Sequence, residues 1–289
     1  MNHKARKRFG QNFLHDPNVI EHIISSIAAT AEQHIVEIGP GKGALTEHLV
    51  GSAGKLDVIE LDRDLVPVLQ SRFSAYPHFF VHSADALKFD FSSLLADGSL
   101  QAEGSLSADG SSKSRKLRLV GNLPYNISTP LIFHLLENID IIEDMHFMLQ
   151  KEVVERMTAV PGTKVYGRLS VLVQYLCHAE LLFIVPPGAF NPAPKVDSAI
   201  VQLTPRAQVA QCTDKNDIQK LHNAEPAELA FIAKTAFSQR RKTLRNNLKK
   251  ILNAEQIAQC NIDPGRRAET LTISEFVALT NQYVLIPET

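Results

Sequence analysis

Short apolar runs alternate with stretches of helical periodicity from residue 34 to residue 205. Apolar runs of about four to eight residues are typical of buried strands, and apolar positions three and four apart indicate amphipathic helices. The pattern predicts strands over residues 34–38, 56–60, 79–82, 117–120, 145–149, 181–185 and 199–203. It predicts helices over residues 44–50, 64–73, 130–136, 151–157 and 168–177. This alternation favours an α/β fold with a doubly wound, mostly parallel sheet.

Two local signals refine this prediction. Thr129 followed by Pro130 is typical of an N-cap and the first helical position. A stretch rich in Pro and Gly, residues 186–194, separates the last two strands, which makes antiparallel pairing possible for them.

The pattern changes twice along the chain. Residues 92–116 are rich in Ser, Gly and Ala without periodicity, which predicts a flexible surface insertion. After Pro205 a polar linker precedes helical patterns over 228–237, 243–252 and 274–283, and Thr272 with Glu275 forms a capping-box signature. We therefore predict two domains, an α/β domain over 1–205 and an all-helical domain over 206–289.

Composition narrows the class of protein. The chain of 289 residues is 44% hydrophobic and 21% charged, as globular proteins are. Three widely spaced cysteines, Cys177, Cys212 and Cys260, indicate reduced thiols and a cytoplasmic location, and they predict no metal site. No apolar run reaches membrane-spanning length, and the basic N-terminus lacks the apolar region of a secretory signal. Nothing in the chain points to an obligate oligomer, so we expect a monomer.

A glycine-rich stretch, residues 38–43, ends the first predicted strand. Glycines here let the backbone approach a ligand, and Glu60, about 20 residues on, suits a ribose-binding carboxylate. A dinucleotide fingerprint needs a third glycine where Ala44 stands, and a phosphate-binding P-loop motif is absent. The pattern therefore favours a nucleoside ligand without phosphates, such as S-adenosylmethionine.

Polar residues follow three strands at their carboxyl ends, where ligands bind in open α/β sheets. They are Glu60, Asp85 and Asn122. Asp85 could accept a hydrogen bond from an adenine amino group or simply cap a turn. Asn122 opens an Asn-Leu-Pro-Tyr sequence whose amide and Tyr125 ring suit a planar amine-bearing group, although Asn and Pro also favour ordinary turns.

Two basic segments suggest nucleic acid as the partner. The segment between Phe231 and Ile251 carries seven Lys and Arg residues and no acidic residue, and the N-terminus adds four more cations. A charge run is often only a solvated surface, but two such segments in a chain of net charge −1 favour RNA binding. The predicted contacts are Arg6, Lys7, Arg8, Arg240, Arg241, Lys242 and Arg245.

The ordered motifs resemble those of the small-subunit (16S) ribosomal RNA adenine dimethyltransferases, the KsgA family. They include Gln-Asn-Phe-Leu at 11–14, Glu-Ile-Gly-Pro-Gly at 37–41, Asn-Leu-Pro-Tyr-Asn-Ile-Ser at 122–128 and Arg-Arg-Lys-Thr-Leu-Arg-Asn at 240–246. The resemblance implies a Rossmann-like class I methyltransferase fold with a small helical C-terminal domain. It implies methyl-donor contacts by Asn12, Leu14, Gly39, Gly41, Glu60, Asp85, Ala86 and Asn122.

The resemblance implies that Tyr125 contacts the target base, and a mechanism follows as a hypothesis. The oxygens of Asn122 and Leu123 would accept hydrogen bonds from adenine N6, and Tyr125 would stack on the base. Phe190 is the candidate for the opposite face of the base, with packing in the core as the equal alternative. No general base is required. The expected partner is the assembling small subunit, with two adjacent adenosines as targets. The alternatives are an adenine in large-subunit RNA or in DNA, a protein glutamine amide, and an assembly factor whose binding is the main role.

Overall fold

A computed structural model describes residue 6 and residues 10–96, 116–206 and 224–285. The strands are β1 (Phe13–Leu14), β2 (His34–Ile38), β3 (Lys55–Glu60), β4 (Phe79–Ser83), β5 (Leu117–Asn122), β6 (Ile142–Gln150), β7 (Cys177–Val185), β8 (Phe190–Asn191) and β9 (Ser198–Pro205). The helices are α1 (Pro17–Ile27), α2 (Thr46–Leu49), α3 (Val66–Arg72), α4 (Ser93–Ala96), α5 (Ser128–Glu137), α6 (Lys151–Met157), α7 (Arg168–Leu176), α8 (Pro226–Ala236), α9 (Leu244–Asn247), α10 (Ala254–Gln259) and α11 (Ile273–Val284).

The main sheet has seven strands in the order β4-β3-β2-β5-β6-β9-β7. Strands β4, β3, β2, β5 and β6 pair in parallel, and β9 runs antiparallel to β6. Every residue of β2 and β3 is buried, including the charged residues Glu37, Asp57 and Glu60. The strand order places β2 and β5 side by side, so their carboxyl ends, Ile38 and Asn122, lie at one edge of the sheet.

The chain divides into two compact units, residues 1–151 with 181–203 and residues 152–180 with 204–289. Helix α7 contacts α8 and α11, which groups it with the C-terminal helices. The predicted domain boundary at residue 205, which rests on the change in sequence pattern, stays a prediction. The flexible insertion over residues 92–116 also stays a prediction. Of that insertion, α4 is described and buries Leu94, and residues 97–115 lie outside the described residues.

Several element boundaries differ from the prediction. Helix α5 begins at Ser128 after Ile127, so Thr129 lies in the first turn and is not the N-cap. The predicted helix over 243–252 is regular only at α9, and α1 was missed although Asp16 caps it and Ile20, Ile23 and Ile27 give it a buried face. The capping box of Thr272 and Glu275 at α11 is confirmed.

Within the described ranges, no helix is both long and apolar enough to cross a bilayer.

Candidate functional site

A tight loop follows β2 and brings the backbone close to a pocket. Gly39 and Gly41 have φ of +68° and +57°, a left-handed conformation that favours glycine. A Cβ on Gly41 would lie 3.1 Å from the Phe13 ring, so any side chain there would crowd that aromatic ring. The Lys42 ammonium lies 4.7 Å from the centre of the same ring.

The pocket lies at the carboxyl ends of β2, β3 and β5. It is lined by residues 10–14, 37–42, 44–45, 60–61, 84–86 and 122–127. These include Asn12, Leu14, Gly39, Gly41, Glu60, Asp85, Ala86, Asn122, Leu123 and Tyr125. The structure therefore brings together residues that the sequence separates by more than a hundred positions.

Glu60 ends β3 as a buried carboxylate with two backbone partners. Its Oε2 accepts from the Gly41 amide at 3.1 Å and its Oε1 from the Asp62 amide at 2.7 Å. Burial raises the pKa of Glu60, and these two hydrogen bonds oppose the rise. A buried carboxylate beside a close-approaching backbone suits a pair of ligand hydroxyl groups.

Asp85 both lines the pocket and organises a turn. Its Oδ1 accepts from the Leu87 amide at 3.0 Å, and its carbonyl accepts from the Lys88 amide at 2.9 Å. The turn-capping alternative is thus part of the structure, and Asp85 lines the pocket at the same time.

Glu37 is a pocket residue to which the sequence assigned no role. It is 2% exposed, and its Oε2 accepts from the Thr46 hydroxyl at 2.6 Å. Burial raises the pKa of Glu37 to about 7, and the neighbouring Glu60 adds to the rise. A carboxylate inside the apolar strand β2 was the available signal, because a buried acid without a cation demands a reason.

Asn122 ends β5 with its side chain held in place. Its Nδ2 donates to the Asn12 carbonyl at 3.0 Å. Because the nitrogen is committed to that bond, Oδ1 is the atom suited to accept from a ligand. The next residue, Leu123, is fixed by its amide, which donates to the Met148 carbonyl at 3.1 Å.

The two predicted stacking rings occupy different environments. Tyr125 is half-buried in the pocket wall, and its hydroxyl shares a 2.6 Å hydrogen bond with Ser198. Burial raises the pKa of Tyr125. Phe190 is 3% exposed, pairs with Leu14 between β8 and β1, and packs in the core outside the pocket lining. Its stacking role stays a prediction, and in this conformation the ring has a packing role.

The N-terminal cations are only partly described. Arg6 donates from Nη1 to Asp62 Oδ1 at 2.8 Å and from Nη2 to Asp64, so its charge is paired within the chain. Lys7 and Arg8 lie outside the described residues.

The second unit carries exposed cations. Arg240 donates to the carbonyls of Lys164 and Tyr166 and so braces the loop before α7. Arg241, Lys242 and Arg245 are exposed.

Comparison with known proteins decides the family. Residues 2–284 match the family model described as ribosomal RNA adenine dimethylase. This chain belongs to that family. The family of adenine dimethylases uses S-adenosylmethionine, so the predicted family, enzyme class and methyl donor are confirmed.

The relatives of this dimethylase include two bacterial proteins of nearly equal length. Ribosomal RNA small subunit methyltransferase A of Pseudomonas aeruginosa is 54% identical over 99% of this chain and 97% of its own. The protein of the same name from Saccharophagus degradans is 53% identical over 96% of this chain and 94% of its own.

Solved structures confirm the predicted fold class. A dimethyladenosine transferase from Plasmodium falciparum has a TM-score of 0.69 at 26% identity, covering 92% of this chain and 95% of its own. The 23S rRNA methyltransferase ErmE has a TM-score of 0.66 at 22% identity, covering 94% and 100%, a likeness of fold alone.

Proposed function

We propose that this dimethylase transfers two methyl groups to N6 of adenosine in small-subunit ribosomal RNA, with two adjacent adenosines as targets. The observation that carries the proposal is the tethered Asn122 amide, whose nitrogen donates to the Asn12 carbonyl at 3.0 Å. With the nitrogen in this bond, Oδ1 is the atom of the amide that would accept from the amine. We propose further that the enzyme acts as a cytoplasmic monomer on the assembling subunit.

The pocket residues fit the methyl donor. Glu60 would accept from the ribose hydroxyls, and Asp85 from the adenine amino group. Gly39 and Gly41, which lack side chains, would let the backbone approach the nucleoside. The remaining contacts would be made by Asn12, Leu14, Ala86 and Asn122, which line the same pocket. When bound, S-adenosylmethionine supplies an electrophilic methyl group on a sulfonium sulfur.

The chain's own residues orient the target base. The lone pair of adenine N6 is delocalised into the ring, so the amine is a weak nucleophile. Hydrogen bonds from N6 to the Asn122 Oδ1 and the Leu123 carbonyl would fix the amine and favour a localised lone pair. Positioning and local electrostatics then supply most of the acceleration. The methylated N6 cation releases its proton readily, so no side chain is assigned as a base.

Tyr125 would receive the base after it leaves its stack in the RNA. Its ring is held by the 2.6 Å bond between its hydroxyl and Ser198, so the stacking surface is formed before the base arrives. Stacking of one base on an aromatic ring contributes about 1–3 kcal/mol.

Exposed cations of the second unit would bind the RNA backbone. Arg241, Lys242 and Arg245 are available to phosphates, whereas Arg240 also braces a loop of its own unit. Such contacts make RNA affinity fall steeply as the salt concentration rises.

Large-subunit RNA is the second candidate substrate, because ErmE has the same fold. The chain is 22% identical to ErmE but 54% identical to a protein named ribosomal RNA small subunit methyltransferase A. This difference favours small-subunit RNA as the substrate. An assembly role based on binding is compatible with either reaction.

Transfer of labelled methyl groups from S-adenosylmethionine tests the proposal. Undermodified small subunits, large subunits and naked RNA are compared, and the modified base is identified by mass spectrometry. We expect N6,N6-dimethyladenine in small subunits alone. Label confined to large-subunit RNA would show that large-subunit RNA is the substrate. Binding to small subunits without any label would make ribosome assembly the main role.

A further inference from the structure

Residues 10–14 form one wall of the pocket and are held from three directions. The Asn12 carbonyl accepts from Asn122, and Leu14 pairs with Phe190 between β1 and β8. The third attachment is Gln11, whose Nε2 donates to Asp62 Oδ2 at 3.1 Å.

Asp62 is the centre of this third attachment. It is 1% exposed, and besides Gln11 it receives Arg6 Nη1 on Oδ1 at 2.8 Å. The Arg6 amide in turn donates to Gln11 Oε1 at 2.8 Å, so the three residues close a ring of hydrogen bonds. A buried carboxylate needs such partners, because burial of an unpaired charge is costly.

The ring connects directly to the methyl-donor site. The Asp62 amide donates to Glu60 Oε1 at 2.7 Å, and Glu60 Oε2 accepts from the Gly41 amide. The same short segment that Gln11 anchors also carries Asn12, whose carbonyl fixes the Asn122 amide. One network therefore reaches both the predicted ribose carboxylate and the predicted amine acceptor.

We infer that Arg6, Gln11 and Asp62 are positioning residues that hold residues 10–14 against the pocket. The inference rests on the proposed function for the identity of the ligand. In this role the charge of Arg6 stabilises the wall of the methyl-donor site, which differs from the RNA contact that the sequence suggested. Loss of the network loosens the wall, so methyl-donor affinity falls while RNA affinity is retained.

The first test replaces residues at the edge of the network, whose loss does not threaten the core. Arg6→Ala and Gln11→Ala are compared with Arg63→Ala, which removes an exposed cation next to Asp62 in sequence. Affinity for S-adenosylhomocysteine without RNA, affinity for small-subunit RNA, and the free energy of unfolding are measured. We expect both network variants to bind S-adenosylhomocysteine roughly 3- to 10-fold more weakly, the size of effect that about one ordinary hydrogen bond gives. The Arg63→Ala variant should stay within about two-fold of wild type, as a surface substitution does.

Two further variants separate positioning from general destabilisation. Arg6→Lys keeps the charge and should recover most of the affinity. In a double-mutant cycle of Arg6→Ala with Asp62→Asn, the combined loss should be smaller than the product of the single losses, because both remove one interaction.

Unchanged S-adenosylhomocysteine affinity in Arg6→Ala, with weakened RNA binding, would overturn the inference and make Arg6 an RNA contact. Multiplicative losses in the cycle would also contradict it. Wild-type methyl transfer to small subunits is scored separately, so failure of the proposed substrate is not confused with failure of the network.

Discussion

Buried carboxylates in the main sheet differ in their partners and in the direction of their pKa shifts. Asp57 in β3 has three partners of its own, with His34 Nε2 at 2.6 Å, His82 Nε2 at 2.5 Å and Lys55 Nζ at 3.4 Å. Burial alone would raise the pKa of Asp57, but these partners outweigh it and hold the pKa well below its usual range. Glu37 and Glu60 line the pocket, accept mainly from a hydroxyl and backbone amides, and have raised pKa values because of burial.

The difference separates stability from function. A carboxylate that the chain neutralises by itself lowers the free energy of the folded state. Carboxylates that remain buried with few donors raise it, and such groups concentrate where a ligand binds. We call Asp57 with His34, Lys55 and His82 the Asp57 cluster, and we expect it to contribute to the free energy of unfolding. The pocket residues should affect ligand binding and methyl transfer instead.

Replacing Asp57 should have the largest effect on stability. Asp57→Asn leaves the buried Lys55 without its counter-charge and weakens the hydrogen bonds from His34 and His82, so we expect a loss of about 3 kcal/mol or more in the free energy of unfolding. Denaturant unfolding measures it, with the exposed Asp140→Asn as control. In the wild-type protein, the stabilisation by the ionised Asp57 carboxylate should be present above about pH 4, near the ordinary pKa of the group. It should disappear as the pH falls. Equal stability of both variants would show that the cluster is not structural.

Glu37 should give the opposite pH dependence. The folded state keeps its proton up to about pH 7, whereas an exposed glutamate releases it near pH 4.3. Between these values the unfolded state binds fewer protons, so wild-type stability falls as the pH rises towards 7. Glu37→Gln should remove this fall and be more stable than wild type at pH 8, on the order of 1–3 kcal/mol. The exposed Glu21→Gln is the control, and a parallel pH profile in Glu37→Gln would refute the raised pKa.

Arg241→Ala should change neither stability nor methyl-donor affinity, since the side chain is exposed on the second unit. If it contacts a phosphate, RNA affinity falls and the slope of log affinity against log salt decreases in magnitude by about one. Filter binding across salt concentrations measures both quantities. Arg267→Ala is the control, because it removes an exposed cation of the same unit that is not a predicted RNA contact. An equal change of slope in Arg267→Ala would mean that Arg241 contributes no more to RNA binding than any other exposed cation.

The smallest effect is expected for Tyr125→Phe. The ring remains, and only the 2.6 Å hydrogen bond to Ser198 is lost, so kcat/KM should stay within about three-fold. Ser198→Ala should reproduce this small loss. A large loss in Tyr125→Phe alone would mean that the hydroxyl contributes more than the position of the ring.

Much of the sheet and of the pocket could be predicted from the sequence. Strand β2 has the predicted bounds, and its apolar residues Ile35, Val36 and Ile38 are buried as that prediction requires. Glu60, Asp85 and Asn122 meet in the pocket because parallel strands end at the same edge. The family motifs added Asn12 and Leu14, which no periodicity argument had selected.

Long-range partners could not be predicted. The basic character of the N-terminus suggested RNA for Arg6, whereas the fold brings Asp62 and Asp64 to its guanidinium. Phe190 lies within a Pro/Gly-rich stretch, where the sequence left base stacking and core packing open, and pairing of β8 with β1 buries it. Such outcomes depend on which strands pair, and a local pattern does not determine that.

Asn122→Ala tests the central claim most directly, with single-turnover methyl transfer to small subunits, S-adenosylhomocysteine affinity and unfolding measured on one preparation. If Asn122 orients the amine, transfer should slow by about 100-fold. Ligand affinity should fall by no more than about 10-fold, because Asn122 also holds Asn12 in the wall of the methyl-donor site. Stability should stay within about 1 kcal/mol, since one neutral hydrogen bond is lost. Equal losses in transfer and in ligand affinity would contradict the account and make Asn122 a support for the methyl-donor site alone.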